Sequence, residues 1–460
     1  MMRRFSSSLT VTMAVLALGA AAPGCGDDEE LPKNCDLAAQ TGCAEGFVCE
    51  EVEGGLPLCF QPVTFQGKVF DALSTKPIAG ARVVARDANE SVVSSVAISG
   101  ADGLYKLRLP TKRDANGKVL TTGQFTLRAD AKAYATFPKA PRVGIPINIA
   151  DATGSPPVLK STATDIALLP LADASGFGSV SGKVVAKNPG GTLVVANGAT
   201  GVADSAGNYV VFNVPAGMAE VRGYAAGINV TPKTANVAAN AETKGVDLVD
   251  SGKPTATISG SLSIVNGGEG TITSVVLAVE ETFEPTATRG EVPKGLRIGN
   301  ITNDWSIAGV PDGKYVVLAA FENDDFVRDP DTSIGGTEIV HIEVAGADQD
   351  LSQSFKVTGA LDVIAPGAEK IDVVTGTPKF EWEDDSSEDV YNVKLFNGLG
   401  DLVWEKEGAF DPGGGGNASV DYDGDALIAG MVYQFRATSI KGGVPISSTE
   451  DLKGVFVYSK

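Results

Sequence analysis

The segment ADGLYKLRLP, residues 101–110, alternates apolar and polar side chains and ends at a proline. Two further segments follow the same pattern, SAGNYVVFNVP at residues 205–215 and TNDWSIAGVP at residues 302–311. In each, an aromatic residue follows a polar turn, and the apolar residue two positions later shares its face of a strand. The aromatic residues are Tyr105, Tyr209 and Trp305. This repetition predicts three related β-domains.

The sequence around these segments repeats as well. A short glycine-containing strand precedes each one, at Gly67, Gly182 and Gly260. In the first repeat the insert TKRDANGKVLTT, residues 111–122, separates the proline from the strand that follows. Short alternating stretches broken by Gly, Pro, Asn and Asp are typical of antiparallel sheets. The expected fold class is therefore all-β, with tandem antiparallel β-sandwiches after a small disulfide-rich module.

The first repeat resembles the carboxypeptidase regulatory-like domain. The matching residues are Gly67, Val69, Pro77, Gly80, Ala81, Val83, Asp102, Gly103, Tyr105 and Pro110. The resemblance implies a transthyretin-like sandwich over residues 63–171, similar to the B-type repeats of bacterial collagen adhesins. Residues 177–250 and 255–358, the expected second and third sandwiches, match only the later half of the motif. The zinc site of the peptidase needs two histidines, and this chain has one, His341.

The last hundred residues follow another pattern. The stretches TPKFEWEDDSSEDVYNVKLF and AGMVYQFRATSIKG resemble a fibronectin type III domain, which would cover residues 361–460. The resemblance implies a further Ig-like sandwich with Trp382 in its core. The matching residues are Pro378, Phe380, Trp382, Tyr391, Val393, Tyr433, Phe435 and Arg436.

The first residues have the pattern of an export signal. Arg3 and Arg4 precede an apolar run at residues 9–22, which is too short for a stable membrane span of about 30 Å. Residues 1–24 resemble a bacterial lipoprotein signal peptide, in which Cys25 is lipidated and becomes the mature N-terminus. Simple secretion with cleavage just before Pro23 is the alternative, and a proline at that place suits peptidases poorly.

The sorting rule for bacterial lipoproteins adds a location. Gly26 rather than Asp follows the lipidated cysteine, and this implies the outer membrane. The expected localisation is therefore export, with a lipid anchor in the cell envelope. Residues 25–34 are acidic and polar and are predicted to be a solvated tether.

A cysteine-rich module is expected at residues 35–61. Four cysteines within 25 residues of an exported chain indicate two disulfides, with three possible connectivities. Zinc is the rival, but the spacing has no CxxC pair and no histidine lies nearby. The crossed pairing, Cys35 with Cys49 and Cys43 with Cys59, resembles small EGF-like modules.

Charge and residue types limit the remaining chemistry. The net charge of −20 disfavours nucleic-acid binding. His341 alternates with apolar neighbours, so a solvated strand residue is expected rather than a catalytic base. Calcium is a weak candidate ligand of one acidic loop, which in an acidic chain is more often only solubilising. Its carboxylates are Glu322, Asp324, Asp325, Asp329 and Asp331. No other metal, cofactor or catalytic residue is predicted.

These features predict a non-enzymatic, lipid-anchored cell-envelope protein that acts as a multi-domain scaffold or adhesion module. Its expected partners are the membrane, through the anchor, and a cell-surface protein or polysaccharide. The alternative is a carbohydrate-binding accessory protein of a polysaccharide-handling system. The short linker SGKP, residues 251–254, indicates a semi-rigid rod of sandwiches with no organised pocket.

Overall fold

A computed structural model provides the structure of the protein, and its secondary structure consists almost entirely of β-strands. It describes residues 35–37, 40–120, 124–139, 142–265, 271–285, 287–320, 325–331, 337–352, 355–385, 387–409 and 416–459. Within these ranges the regular elements are β1 to β38 and three single-turn 3-10 helices, Ile149–Asp151, Thr162–Thr164 and Glu280–Thr282. The predicted leader, the lipidation residue Cys25, the tether, Glu322 and Asp324 lie outside the described residues. Over the described ranges, no helix has the length and apolar character needed to span a membrane.

The N-terminal module is a hairpin held by two disulfides. Strands β1 (Val48–Val52) and β2 (Leu58–Phe60) pair antiparallel, with Cys49 opposite Cys59. The disulfides join Cys35 to Cys49 and Cys43 to Cys59, the crossed pairing that the EGF-like resemblance implied. Two covalent links substitute here for the apolar core that so short a segment cannot form.

The first sandwich has one sheet of β10, β3, β11 and β6 and a second of β5, β4, β8 and β9. Side chains alternate along β6, so that Tyr105, Leu107 and Leu109 are buried between the two sheets. Its strands are β3 (Val63–Asp71), β4 (Arg82–Asp87), β5 (Ala97–Ile98), β6 (Leu104–Leu109), β7 (Lys112–Arg113), β8 (Gln124–Asp130), β9 (Ile147–Asn148), β10 (Val158–Leu159) and β11 (Ile166–Leu168).

The second sandwich repeats this plan with β15, β12, β19 and β20 in one sheet and β14, β13, β16, β17 and β18 in the other. Its strands are β12 (Phe177–Val185), β13 (Leu193–Ala196), β14 (Ala199–Val202), β15 (Asn208–Pro215), β16 (Gly217–Ala225), β17 (Ile228–Asn229), β18 (Lys233–Val237), β19 (Glu242–Thr243) and β20 (Leu248–Val249).

The third sandwich has β24, β21, β28, β29 and β26 in one sheet and β23, β22, β25 and β27 in the other. Its strands are β21 (Ala256–Val265), β22 (Thr273–Val279), β23 (Arg297–Ile301), β24 (Asp304–Val310), β25 (Gly313–Ala319), β26 (Phe326–Arg328), β27 (Val340–Val344), β28 (Gln349–Asp350) and β29 (Phe355–Gly359).

The three repeats share one pair at their centre. The repeated glycine lies directly opposite the repeated aromatic residue, as Gly67 with Tyr105, Gly182 with Tyr209, and Gly260 with Trp305. The Tyr105 hydroxyl donates to the Thr164 carbonyl at 2.6 Å, and a Cβ on Gly67 would lie 1.9 Å from that same oxygen. Gly67 is therefore required by the close approach of another backbone segment.

That close segment connects two short strands that pair parallel to the first strand of the sandwich. In the first sandwich β10 and β11 pair parallel with β3, and β19 and β20 do the same with β12. Strands β28 and β29 repeat the arrangement on β21. The sandwiches are thus mainly antiparallel, as the alternation predicts, with parallel pairs in one equivalent position that alternation alone does not reveal.

The fourth sandwich packs an aromatic core between a three-stranded and a six-stranded sheet. Trp382 is fully buried, with its ring 5.1 Å from that of Tyr391, and Phe380 stacks on Phe435 at 4.9 Å. Its strands are β30 (Val363–Ala365), β31 (Asp372–Thr375), β32 (Lys379–Glu383), β33 (Val390–Asn397), β34 (Leu402–Ala409), β35 (Asn417–Asp421), β36 (Val432–Lys441), β37 (Val444–Ser448) and β38 (Val455–Ser459).

The first three sandwiches pack side by side. Val84 of the first and Val195 of the second belong to the same buried apolar cluster as Leu277 of the third. The linker is also fixed, since the backbone N–H and the hydroxyl of Ser251 both donate to the Asn229 carbonyl. The rod expected from the short linker is therefore wrong, because apolar residues on the outer faces of the sheets, such as Val84, are buried against the neighbouring sandwiches.

Candidate functional site

Two neighbouring strands of the first sandwich carry arginines on their outer face. Along β4, Val83 and Ala85 point into the sandwich, so Arg82 and Arg86 point out of it. Arg128 of β8 also points outward, since Leu127 and Ala129 are in the core. An outward side chain normally reaches water, but only 1 % of Arg128 is exposed, because the other sandwiches cover it.

Glu291 of the third sandwich neutralises two of these arginines. Its Oε1 lies 3.2 Å from Nε of Arg128, and its Oε2 lies 3.7 Å from Nη1 of Arg86. Nη2 of Arg128 also donates to Oγ1 of Thr200, in the second sandwich, at 2.7 Å. One guanidinium group therefore contacts all three sandwiches, and we refer to Arg86, Arg128, Thr200, Glu291 and their direct partners as the junction.

Three further ion pairs extend the junction. Oε1 of Glu90 lies 3.4 Å from Nη2 of Arg86 and 2.9 Å from Nη1 of Arg289. Arg289 also pairs with Asp451, which belongs to the fourth sandwich. On the other side, Nη2 of Arg82 donates to the Val202 carbonyl at 3.0 Å. Buried charges of this kind remain stable only when they are paired and hydrogen-bonded, and Arg86, Arg128 and Arg289 each form ion pairs with carboxylates.

The electrostatics of the junction favour ionised carboxylates at its centre. Burial alone would raise the pKa of Glu291, but the guanidinium groups of Arg128 and Arg86 outweigh it, and the pKa is lowered. At Asp130, which pairs with Arg128, burial prevails and the pKa is raised. A carboxylate with a lowered pKa is a poor proton donor, so Glu291 fits an ionic contact between domains better than general acid catalysis.

A cleft of about 470 Å³ opens at the junction. It is lined by all three sandwiches, including Arg86 and Arg142 of the first, Asn197 of the second, and Glu281 and Glu291 of the third. We call it the junction cleft. The expectation that the sandwiches leave no organised pocket is wrong, because three outer faces that meet at one point cannot fill the space between them.

Arg142 joins the junction cleft to the fourth sandwich. Its Nη2 donates to the Ala167 carbonyl at 2.9 Å, and its Nε donates to the Gly398 carbonyl at 2.8 Å. The guanidinium group stacks on Phe137, with its carbon 4.6 Å from the ring centroid. Burial lowers the pKa of Arg142 to about 10, and the more distant Asp401 opposes that shift only in part.

The cysteine-rich module docks on the first sandwich through the insert. Strand β1 pairs parallel with β7, and the fully buried Glu50 accepts hydrogen bonds from the Thr111 backbone and from Arg113. The Arg113 guanidinium also lies 4.6 Å from the centroid of the Phe60 ring. Burial raises the pKa of Glu50, although Arg113 opposes this. The insert that interrupts the first repeat is therefore the docking element of the module.

The acidic loop proposed for calcium is only partly described. Oδ2 of Asp329 lies 3.1 Å from Nζ of Lys356, and its Oδ1 accepts the Asp331 backbone N–H at 2.9 Å. Asp325 donates its backbone N–H to Glu450. Among the described residues, the group of side chains close enough to share a metal is Cys35, Cys43 and Cys59, whose sulfurs are all in disulfides. Calcium stays a prediction.

The single histidine has a structural partner, and the tryptophans lie in the interior. His341 is half exposed, and its Nδ1 lies 2.7 Å from Oε2 of Glu280. The three tryptophans, Trp305, Trp382 and Trp404, are all buried. None of them can serve as an exposed platform for a sugar ring.

Sequence reasoning missed the junction arginines and Glu291. The available signal was the pair of strands ARVVARD and QFTLRAD, where Arg alternates with apolar residues and ordinary alternation predicts a solvated face. The partners of Arg128 in the other sandwiches, Thr200 and Glu291, lie more than 70 positions away, which no local pattern reveals.

Comparisons with known proteins add little. No protein-family model and no curated protein matches the sequence. Two B repeats of the Staphylococcus aureus collagen-binding protein match 86% of this chain and 98% of their own at 12% identity, with a TM-score of 0.18. The Bacillus anthracis TIE protein matches 83% of this chain and 68% of its own at 10% identity, with a TM-score of 0.16. At these scores neither likeness carries an argument, and the fold rests on the strands described above.

Proposed function

We propose that the protein is a non-enzymatic, exported binding scaffold of the cell envelope, in which the sandwiches form one packed block. The observation that carries this proposal is the junction, where Arg128 contacts Glu291 and Thr200 of two other sandwiches. The buried carboxylates of the junction form ion pairs with guanidinium groups. Such an arrangement fixes the domains relative to one another, and a fixed surface reduces the ordering cost of binding.

The cysteine-rich module supports the exported location. Disulfides persist in oxidising compartments, and this module has two of them beside a core too small to fold alone. We place the lipid anchor at Cys25, ahead of an acidic tether that would hold the block away from the membrane. The proposed location of this anchor is the outer membrane.

The proposed partner is a cell-surface protein or a polysaccharide. Carbohydrate binding, as an accessory to a polysaccharide-handling system, is the second candidate function. One observation favours it, namely a junction cleft large enough for a sugar ring, with half-buried phenylalanines in its lining. A site at a domain interface is a common position for a ligand.

Detergent-phase partitioning of expressing cells tests the anchor. The wild-type protein is expected in the detergent phase, and Cys25→Ala is expected in the aqueous phase because it lacks the acylated residue. Ser7→Ala, in the leader but away from the lipidation motif, is the matched control and should behave as wild type. Equal partitioning of all three proteins contradicts the anchor.

Limited digestion with subtilisin, a protease of broad specificity, tests the packed block, because the Lys253–Pro254 bond of the linker itself resists trypsin. Lys253 lies in the linker between the second and third sandwiches and is exposed, yet the backbone around it is held by hydrogen bonds to Asn229. Proteases need a locally opened backbone. We expect slow cleavage at this linker in the folded protein, and rapid release of separate sandwiches would contradict the block.

A further inference from the structure

The fourth sandwich carries a buried carboxyl group in the connection between β32 and β33, which is described at residues 384–385 and 387–389. Glu388 is 9 % exposed, and neither of its carboxyl oxygens has a hydrogen-bond partner among the described residues. The other buried glutamates of these ranges, Glu50, Glu90 and Glu450, each accept a hydrogen bond. An ionised carboxylate that is buried without a partner is costly, and such a group takes up a proton instead.

The groups around Glu388 are acidic or already paired. The Tyr391 hydroxyl donates its single proton to Oδ1 of Asp384 at 2.8 Å and accepts the Asp385 backbone N–H at 2.7 Å. Oδ2 of Asp385 accepts from the Ser439 hydroxyl of β36 at 2.8 Å. No lysine or arginine among the described residues donates a hydrogen bond to Glu388. The neighbouring side chains therefore supply no positive charge that would keep this carboxyl group ionised.

The electrostatics agree with a neutral Glu388. Burial raises the pKa of this residue, and the neighbouring Asp384 carboxylate raises it further. The Glu388 backbone N–H and the Tyr391 hydroxyl, which lie near without completing a hydrogen bond, oppose the rise only in part. Two carboxyl groups at close range hold one proton between them, because like charges repel. A protonated Glu388 can donate that proton toward Asp384.

The connection is attached to β36 on both sides of Glu388. On one side Asp385 accepts the hydrogen bond from β36 described above. On the other side the Asp389 backbone N–H donates to the Ile440 carbonyl at 2.7 Å, and Oδ2 of Asp389 accepts the Gly442 backbone N–H at 2.6 Å. Glu388 is held out of water between these attachments. A charge on its carboxyl group therefore favours opening of the connection, because water then solvates the charge.

We propose that Glu388 carries a proton while the connection is closed and loses it to water as the pH rises, so that the connection between β32 and β33 opens from β36. The fourth sandwich would then contain a pH-dependent contact that is closed in acid and looser at higher pH. Because the pKa of Glu388 is raised in the folded protein, its stabilising contribution is complete below the ordinary value of 4.5 and is lost as the pH rises through the folded pKa. This contact is independent of the proposed binding function.

Chemical denaturation of the whole chain across a pH series tests the protonation state. Glu388→Gln keeps a neutral side chain of the same size at every pH. It should become more stable than wild type as the pH rises from about 5 to about 8, by about tenfold in the folding equilibrium constant for each unit of pKa shift. Glu407→Gln makes the same change at an exposed position of β34 and should show no pH-dependent difference. An advantage of Glu388→Gln that is absent or shrinks as the pH rises overturns the proposal.

Hydrogen exchange measures the opening itself. Exchange rates of peptides that contain Asp385 and Asp389, corrected for the intrinsic rate at each pH, should show protection that falls in wild type as the pH rises and stays constant in Glu388→Gln. Asp384→Asn removes the neighbouring charge but keeps an acceptor for Tyr391, so the loss of protection should move to lower pH. Constant protection in wild type, an equal loss in Glu388→Gln, or an unshifted loss in Asp384→Asn contradicts the proposal.

Discussion

The interiors of the sandwiches and the junction between them are stabilised by different kinds of interaction. Inside the sandwiches, alternating apolar residues and the repeated glycine–aromatic pairs fill the space between the sheets. At the junction, arginines from the outer faces of β4 and β8 are buried against Glu291 and Glu90. The comparison teaches that an outer strand face, polar by its sequence, can be as buried as a core when another domain covers it.

Removing one charge at the junction should cause the largest loss of stability. Glu291→Gln keeps the size of the side chain but leaves Arg128 and Arg86 without their shared carboxylate. Breaking a buried ion pair costs about 3–5 kcal/mol. We expect the thermal transition of the packed sandwiches to fall or to split, as measured by calorimetry. An unchanged transition would mean that the junction does not hold the domains together.

The pH dependence sharpens this prediction. Because the pKa of Glu291 is lowered in the folded protein, its stabilising contribution is present above the ordinary value of 4.5 and is lost as the pH falls through the folded pKa. The difference in melting temperature between wild type and Glu291→Gln should therefore shrink in acid. A difference that grows as the pH falls would contradict the ionised state of Glu291.

The next largest loss of stability is expected when a glycine–aromatic pair is disturbed. Gly67→Ala places a Cβ about 1.9 Å from the Thr164 carbonyl, which cannot move without breaking the parallel pairing of β3. Overpacking of this kind costs about 1–3 kcal/mol, and the upper end is expected. Gly176→Ala, where no atom lies within 4 Å, is the matched control. Equal denaturation midpoints for the two variants would refute the close approach.

The tyrosine hydroxyls should contribute less. Tyr209→Phe removes the donor to the Val246 carbonyl and leaves the ring in place. We expect a loss of about 1 kcal/mol in the free energy of unfolding, measured by chemical denaturation. Tyr105→Phe should lose a similar amount in the first sandwich. No loss in either variant would show that this hydrogen bond does not stabilise the repeat.

The smallest loss of stability is expected from a substitution on the solvated face of β27. His341 pairs with Glu280 while half of its side chain is exposed. A polar contact at so exposed a position is worth about 0–1 kcal/mol, so His341→Ala should change the melting temperature little. A large drop would mean that this surface is buried against something that the isolated chain does not show.

The sequence predicts the β-sandwich class well, because alternation and turn residues are local properties. The glycine opposite each aromatic residue is a repeated pair in the sequence. The structure explains it in the first two sandwiches through the backbone that crosses at Thr164 and Val246, whereas at Gly260 the Trp305 ring itself lies against the glycine. The parallel pairs and the junction could not be predicted. They depend on which outer faces meet, and Arg128 reaches Thr200 and Glu291 across 72 and 163 positions of the chain.

A double-mutant cycle between Arg128 and Glu291 tests the central claim most directly, since the two residues belong to different sandwiches. Arg128→Met, Glu291→Gln and the double variant would be compared with wild type by the free energy of unfolding. The packed block predicts a coupling of about 1.5 kcal/mol or more, as close buried charge pairs show. Additivity of the two losses within about 0.5 kcal/mol would contradict it, because independent sandwiches transmit no energy between these side chains.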